Sequence, residues 1–318
     1  MCAITAALFV LGAEILLRLA FPQVVMFPRW ESSREYGVVL PRSATMVHKR
    51  PGRWEFRYTI NEDRCRGPRV PRKVNAAVQT VVTLGDSYTM GMGVNDGEEY
   101  PAVLARELGE TYRVLNCGSP GWGLTQEIRR FYEFALDYSP NVVILQFCAN
   151  DPDDGQRDKV TRFTQGSFVF EPTRHRPNTV FNALSSCRVV QSSQLYALVR
   201  GWYESRRESG RVRAELVSRA EADYTTLLEA FARNLNSRGI RLFLISVNGQ
   251  LDEFQAIRAA VHDLHGGGAL QYVEAADWLK GAADRESPEG HRWGAAAHAT
   301  LGRELAKVVR DSDTAHTQ

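Results

Sequence analysis

Residues 81–94, VVTLGDSYTMGMGV, constrain this chain more than any other stretch. An apolar run of strand length stops at Gly85-Asp86-Ser87 and passes into a turn of small residues. A buried strand that ends this way presents a serine hydroxyl at its carboxyl end, where ligands and catalytic groups collect in open α/β sheets. The design repeats. Residues 112–123, YRVLNCGSPGWG, give a short apolar strand, then Asn116, then a turn holding Gly118, Gly121 and Gly123. Residues 141–151, NVVILQFCAND, give a third strand that closes on Asn150-Asp151. Helical patterns near 99–109 and 124–137 separate the three. A helix at 216–238 carries Tyr224, Leu228, Phe231 and Leu235 on one stripe and ends at Gly239, leading into the strand IRLFLISV at 240–247. A shorter strand at 270–274 and a last helix at 295–309 complete the series. Strands alternating with helices predict βαβ units around a parallel sheet.

A serine hydroxyl is a weak nucleophile near neutral pH and needs an adjacent base, usually histidine. The base needs an acid to hold its tautomer and to stabilise the imidazolium that forms. Pro288-Glu289-Gly290-His291, just before the last helix, supplies both, so Ser87, His291 and Glu289 are the candidate nucleophile, base and acid. Of the other histidines, His48 and His175 read as members of basic loops, His262 and His265 lie in or just after a helical segment, and His316 lies in the tail. His298 falls inside the last helix near the register of Leu301 and Leu305, which suits a structural residue, and it is the second candidate for the base. Ester cleavage also requires donors aimed at the developing oxyanion. The Ser87 backbone N–H, the Gly121 backbone N–H and the Asn150 side-chain amide are available by position. The plainer alternatives are a tight turn at Gly121 and an Asx turn at Asn150-Asp151. Asp86 and Asp151 read as loop organisers.

Serine, glycine, asparagine and histidine thus follow in order, each beside a regular element. In this the sequence resembles the SGNH (GDSL-type) hydrolase superfamily, closely over residues 78–155 and more loosely at the carboxyl-terminal block. Tyr58-Thr59-Ile60-Asn61, with Arg66-Gly67 after it, is similar to the lead-in of membrane-tethered bacterial members. The resemblance implies a flavodoxin-like three-layer α/β/α domain with a central parallel sheet. It implies a serine esterase that hydrolyses, or transfers, acyl groups (acetyl foremost) of ester substrates such as O-acylated glycans or lipids. It assigns Asn150 to the oxyanion hole and calls for no cofactor and no metal. Two departures stand out: Glu289 replaces the usual aspartate, adding a methylene, and Cys148 occupies a position that is usually glycine. An alternative alignment puts Arg285 at the catalytic position, under which the protein would be inactive or differently catalysed, and a catalytically silent protein that binds glycans in the same cleft is a separate reading. A third reading gathers Asp86, Asp151, Asp153 and Asp154 around Mg²⁺ for phosphoester chemistry. Against it, the first strand lacks a second aspartate at Asp-x-Asp spacing, because residue 88 is Tyr.

The formal net charge of +2 gives no argument for nucleic acid as a partner. The densest basic group, Arg206, Arg207, Arg211 and Arg213, is interleaved with Glu204, Glu208 and Glu215 and reads as a solvated face. Five cysteines with no C-x-x-C pair and no zinc-site spacing exclude a full disulfide framework as the expectation, although a single bridge in an oxidising compartment stays open. Cys117 and Cys148 read as small buried fillers.

Residues 1–21 read as a membrane anchor: CAITAALFVLGA at 2–13 is uncharged, and apolar residues continue past Glu14 and Arg18, which can pair at i,i+4. A signal-anchor, an amphipathic surface helix and a soluble core helix are the competing readings. Such an anchor would hold the catalytic domain outside the cytoplasmic membrane of a bacterium. Residues 22–77 form an extension in which Trp54, Phe56, Tyr58 and Ile60 alternate as a half-buried strand. The main domain covers 78–311, with an irregular insertion or lid at about 155–215 containing one helix near 192–204, and 312–318 are a tail.

Overall fold

Five strands, Gln79–Leu84, Tyr112–Asn116, Val142–Phe147, Arg241–Ser246 and Gln271–Glu274, form the central sheet of the computed structural model, which describes residues 2–173, 179–208, 214–280 and 286–316. All neighbours in this sheet are parallel. Numbered in chain order, the strands lie side by side as 2-1-3-4-5, the flavodoxin-like order, whose switch point falls beside the first strand. The period-two rule of strands explains how apolar runs serve two cores at once. Val81, Val142, Ile144, Phe243 and Ile245 face one side, against Leu104 and Leu108 of helix Tyr100–Leu108 and Leu301 and Leu305 of helix Ala295–His316. Val82, Val143, Leu145, Leu242 and Leu244 face the other, against Ile128, Phe231 and Val261 of three further helices. The molecule is therefore a three-layer α/β/α fold. Every residue of Val142–Phe147 is buried, as a strand covered on both faces must be.

The extension packs onto one edge of this fold. Strands Val25–Phe27, Ala44–Arg50 and Trp54–Ile60 form an antiparallel sheet. Its apolar cluster, with Met46, Phe56, Tyr58 and Ile60, is completed by Met90 from the turn after the first central strand. Antiparallel bridges Ile60↔Arg66 and Arg66↔Asn116 join it to the edge of the parallel sheet.

Several elements depart from the sequence expectations. The acidic run after Asn150 is not a loop but the first turn of a helix, Asp151–Asp158. Pro152 in that turn and three acids at the positive end of the helix dipole suit a helix start. The buried face is polar, with Asp151, Asp154 and Asp158, so no apolar stripe announces it. His48 is not in a basic loop; it is buried in strand Ala44–Arg50. The helix expected to run to 137 stops at Glu133 and gives way to a 3-10 turn, Ala135–Tyr138. The insertion is more regular than anticipated: a hairpin of Thr161–Thr164 and Ser167–Phe170 precedes helices Thr179–Ser186, Arg188–Gln191 and Gln194–Glu208. His175, Arg211, Arg213 and Arg285 lie outside the described residues.

Candidate active site

The first strand ends at Leu84 and the chain turns at Gly85, whose Cα lies so close to Thr89 and Gln146 that a Cβ would collide with both. Ser87 then opens a short helix, Ser87–Met90, capped by Asp86, whose carboxylate accepts the Tyr88 N–H at 2.9 Å. Gln146, at the neighbouring strand's end, accepts the Asp86 N–H at 3.2 Å and the Thr89 hydroxyl at 3.1 Å. Local capping and a cross-strand amide together fix where the Ser87 hydroxyl emerges.

The loop before the last helix meets it there. His291 Nε2 lies 3.0 Å from Ser87 Oγ, and His291 Nδ1 lies 2.9 and 2.7 Å from the two oxygens of Glu289. The loop is held by its own backbone: the Ser287 N–H donates to the His291 carbonyl at 2.8 Å, and the Gly290 N–H to the Ser287 carbonyl at 2.9 Å. Tyr88 stacks edge-on against His291 with ring centroids 5.1 Å apart, and against Trp293 at the same separation. Burial disfavours the charged form of Glu289, but the hydrogen bond and charge of His291 outweigh it and hold the carboxyl below its ordinary range. Burial likewise works against a charged His291, yet the bond to Glu289 and its charge raise the imidazole above its ordinary value. The pair thus favours proton uptake at His291. The extra methylene of Glu289 does not prevent contact.

Asn150 reaches the same region. Its Nδ2 donates to Asp86 at 3.3 Å and to Asp154 at 2.8 Å, and its Oδ1 accepts from Cys148 Sγ at 2.7 Å. The amide is therefore linked to the residue before Ser87 and faces two carboxylates. Gly121 adopts φ 75°, and its carbonyl accepts from Arg157 at 2.6 Å. His298 sits elsewhere: it is fully buried, with Nδ1 accepting the Tyr100 N–H at 3.1 Å. Of the four aspartates considered for Mg²⁺, Asp153 is exposed, and among the described residues no three His, Cys, Asp or Glu side chains are grouped to hold a metal ion.

Sequence reasoning missed the support that the extension gives. Arg66 is buried and donates to the carbonyls of Met90, Gly91 and Val94, while its guanidinium pairs with Asp96 and Glu99 and lies 4.8 Å over the Tyr58 ring. It clamps the loop that follows the Ser87 helix. Tyr58 accepts the Gly93 N–H at 3.1 Å and bonds His48 Nδ1 at 3.0 Å. Gly93, at φ 82°, packs against Ser287 and Glu289 so closely that a Cβ would strike both. Burial pushes His48 down to about 4, with Glu289 pulling the other way. The alternation that marked Tyr58 as inward-facing was the available signal; nothing in the sequence linked it to residue 93.

The α/β/α scaffold thus brings a serine hydroxyl, an imidazole and a carboxylate into one line of contact at the end of its first strand. Residues 83–301, more than half of the chain, match the GDSL-like Lipase/Acylhydrolase family, and the chain belongs to that family. It is a carboxylic ester hydrolase. Among curated proteins no sequence matches it. Among solved structures it is similar to a G-D-S-L family protein from Desulfitobacterium hafniense DCB-2, at 15% identity and TM-score 0.46, over 72% of this chain and 99% of that one. It is also similar to the aryl esterase of M. Smegmatis, at 11% identity and TM-score 0.42, over 74% of this chain and 99% of that one. A third is a carbohydrate acetylesterase family member from Sinorhizobium meliloti, at 15% identity and TM-score 0.39, over 73% and 98%.

Proposed function

We propose that Ser87 is the nucleophile of a two-step acyl transfer in which His291 is the base and Glu289 its orienting acid. The single observation that carries this is the continuous contact from Ser87 Oγ to His291 at 3.0 Å and on to Glu289 at 2.7 Å, within reach for proton transfer. Glu289 holds the proton on Nδ1, which leaves the Nε2 lone pair facing the hydroxyl. As Oγ attacks the ester carbonyl, His291 takes its proton. The resulting imidazolium, stabilised by Glu289, returns that proton to the departing alcohol. Water then enters, loses a proton to His291 and bonds the acyl carbon. The acyl–Oγ bond breaks, His291 returns the proton to Ser87 Oγ and the acid leaves; an acceptor hydroxyl in place of water gives transfer. The Ser87 and Gly121 N–H groups and the Asn150 amide stabilise the oxyanion, which requires Asn150 to turn part of its hydrogen bonding from Asp86 and Asp154 to substrate. Acetyl and other short acyl esters of glycans or lipids are the proposed substrates, and no cofactor takes part.

The hydrolase domain in this proposal is 78–311 with a lid at about 155–215, the extension 22–77 buttresses it, 1–21 are its anchor, and 312–318 are a tail. Helix Cys2–Ala20 contains an 18-residue apolar stretch of mean hydropathy 1.9, none of it buried. Its two charges serve the domain instead of facing lipid. Glu14 accepts the Gln194 and Leu195 N–H groups at 2.9 and 3.1 Å, capping helix Gln194–Glu208, and Arg18 donates to the Ser192 carbonyl at 3.0 Å. Val189, Val199, Trp202 and Tyr203 are exposed nearby in sequence, a composition suited to a membrane interface. These features support a domain seated against a membrane; its place on the outer face of the cytoplasmic membrane is what the resemblance to membrane-tethered bacterial members implies.

Mixing the purified protein with p-nitrophenyl acetate tests the chemistry. The expected result is a burst of nitrophenolate equal to the enzyme concentration, absent from Ser87→Ala. A full burst from Ser87→Ala would overturn the assignment.

A further inference from the structure

Cys65 and Cys117 lie 52 residues apart in sequence and meet in the interior. The bridge between Arg66 and Asn116 is antiparallel, so its register sets Cys65 opposite Cys117 on the adjacent rung. Opposed residues of antiparallel strands have Cα atoms about 4.5–5.5 Å apart, within the roughly 4.4–6.8 Å that a disulfide spans. The sulfurs themselves are 3.4 Å apart, and both residues are buried. Arg130 Nη2 lies 3.3 Å from Cys65 Sγ. Hydrogen bonding to Cys117 lowers Cys65 to about 7 against the effect of burial, with Arg130 adding to the fall, while Cys117 is raised well above its ordinary value. These contacts belong to the docked fold and mark the two sulfurs as partners of one another.

We infer that Cys65 and Cys117 are a disulfide site, whose closure ties the extension to the turn 117–123 that carries Gly121. The co-reactant is a small disulfide of the oxidised-glutathione type. The Cys65 thiolate attacks one of its sulfurs, forming a mixed disulfide and expelling one donor thiolate. Cys117, deprotonated by solvent, then attacks the Cys65 sulfur, forming the Sγ–Sγ bond and expelling the second donor thiolate. The two cysteines lose two electrons and the donor gains them. Because both thiols are buried in the folded chain, the first exchange precedes docking of the extension. Cys148 is buried at Asn150, and Cys187 is exposed far away in sequence, so neither competes by register.

Denatured protein, refolded in a glutathione redox buffer, alkylated and mapped by peptide mass, tests the inference. The expected result is a linked Cys65–Cys117 peptide and a midpoint of thermal unfolding roughly 5 °C or more above that of the same protein reduced with dithiothreitol, since the bond restricts the unfolded chain. Cys65→Ser and Cys117→Ser should each abolish that redox-dependent shift. Full alkylation of both residues after oxidative refolding, or linkage of either through Cys2, Cys148 or Cys187, would overturn it. The wild-type peptide map decides the matter even if a variant fails to fold.

Discussion

His291, in the loop before the last helix, and His298, inside that helix, stand seven residues apart and hold the same imidazole in opposite settings. His291 has a carboxylate on one ring nitrogen and a hydroxyl on the other. His298 accepts a backbone N–H on Nδ1, and its Nε2 has no partner. Its ring stacks on Tyr100 at 6.1 Å and meets the edge of Trp293 at 5.9 Å. Burial drives His298 down to about 3, with the positive charges of Arg66 and His291 adding to the effect, whereas Glu289 draws His291 upward. Both rings are largely enclosed, so burial alone does not separate them. The difference is the neighbouring carboxylate: with it an imidazole can take up a proton, and without it the ring is a packing element.

The largest effects should follow this division. Ser87→Ala and His291→Ala are each expected to lower kcat/KM about 10⁴-fold or more. His298→Ala should keep turnover within about tenfold while losing roughly 2–4 kcal/mol of stability, because it opens a cavity and leaves the Tyr100 N–H unpaired. Urea unfolding and initial rates on the same preparations measure both. Turnover lost in a folded His298→Ala protein but kept in His291→Ala would reverse the comparison.

Glu289→Gln comes next, with an expected loss of about 10²–10⁴-fold in kcat, and Glu289→Asp should retain more. The pH dependence sharpens this. With His291 as the proposed base, turnover requires its neutral form, so the rate should fall as pH drops through the raised folded pKa, and the acid limb should sit above the ordinary value of 6.5. In Glu289→Gln that limb should move to lower pH. An unmoved limb would mean that Glu289 does not set the proton affinity of His291. Stability runs in two directions. The raised pKa of His291 contributes stability that is present below its unfolded value and lost as pH rises through the folded one. The depressed pKa of His298 does the reverse: its contribution is present above 6.5 and declines as pH falls toward about 3, by up to about 1.4 kcal/mol per pH unit. In His298→Ala that decline should disappear, leaving a flatter acid limb in the unfolding free energy.

The meeting of Ser87, His291 and Glu289 was legible because its signals are local. Gly85-Asp86-Ser87, Asn150 and Glu289-x-His291 each sit at the boundary of a strand or helix, and buried strands betray themselves as apolar runs such as Val142–Phe147. The parallel sheet followed from alternation alone. The hidden parts are those where polar residues do structural work. Gln146 and the helix Asp151–Asp158 bury polar groups that periodicity cannot register, and His48 stands just before Lys49 and Arg50 in sequence yet lies inside. The contacts of Arg66 with residues 90–99 depend on how the extension docks, which no spacing within either segment encodes.

The smallest effect tests whether that docked extension belongs to the catalytic side at all. Tyr58→Phe removes the hydroxyl that bonds His48 and receives the Gly93 N–H. Two buried polar groups then lose their partner, so a cost of about 1–3 kcal/mol in stability is expected. Gly93 touches Ser287 and Glu289, but Glu289 is held mainly by its own loop and by His291. Turnover should therefore change less than tenfold, and the acid limb of the rate profile should stay in place. If Tyr58→Phe instead moved that limb as far as Glu289→Gln does, the His48–Tyr58 pair would be setting the charge of Glu289. The extension would then count as a positioning element for His291, and the contrast with His298 would rest on four residues instead of two.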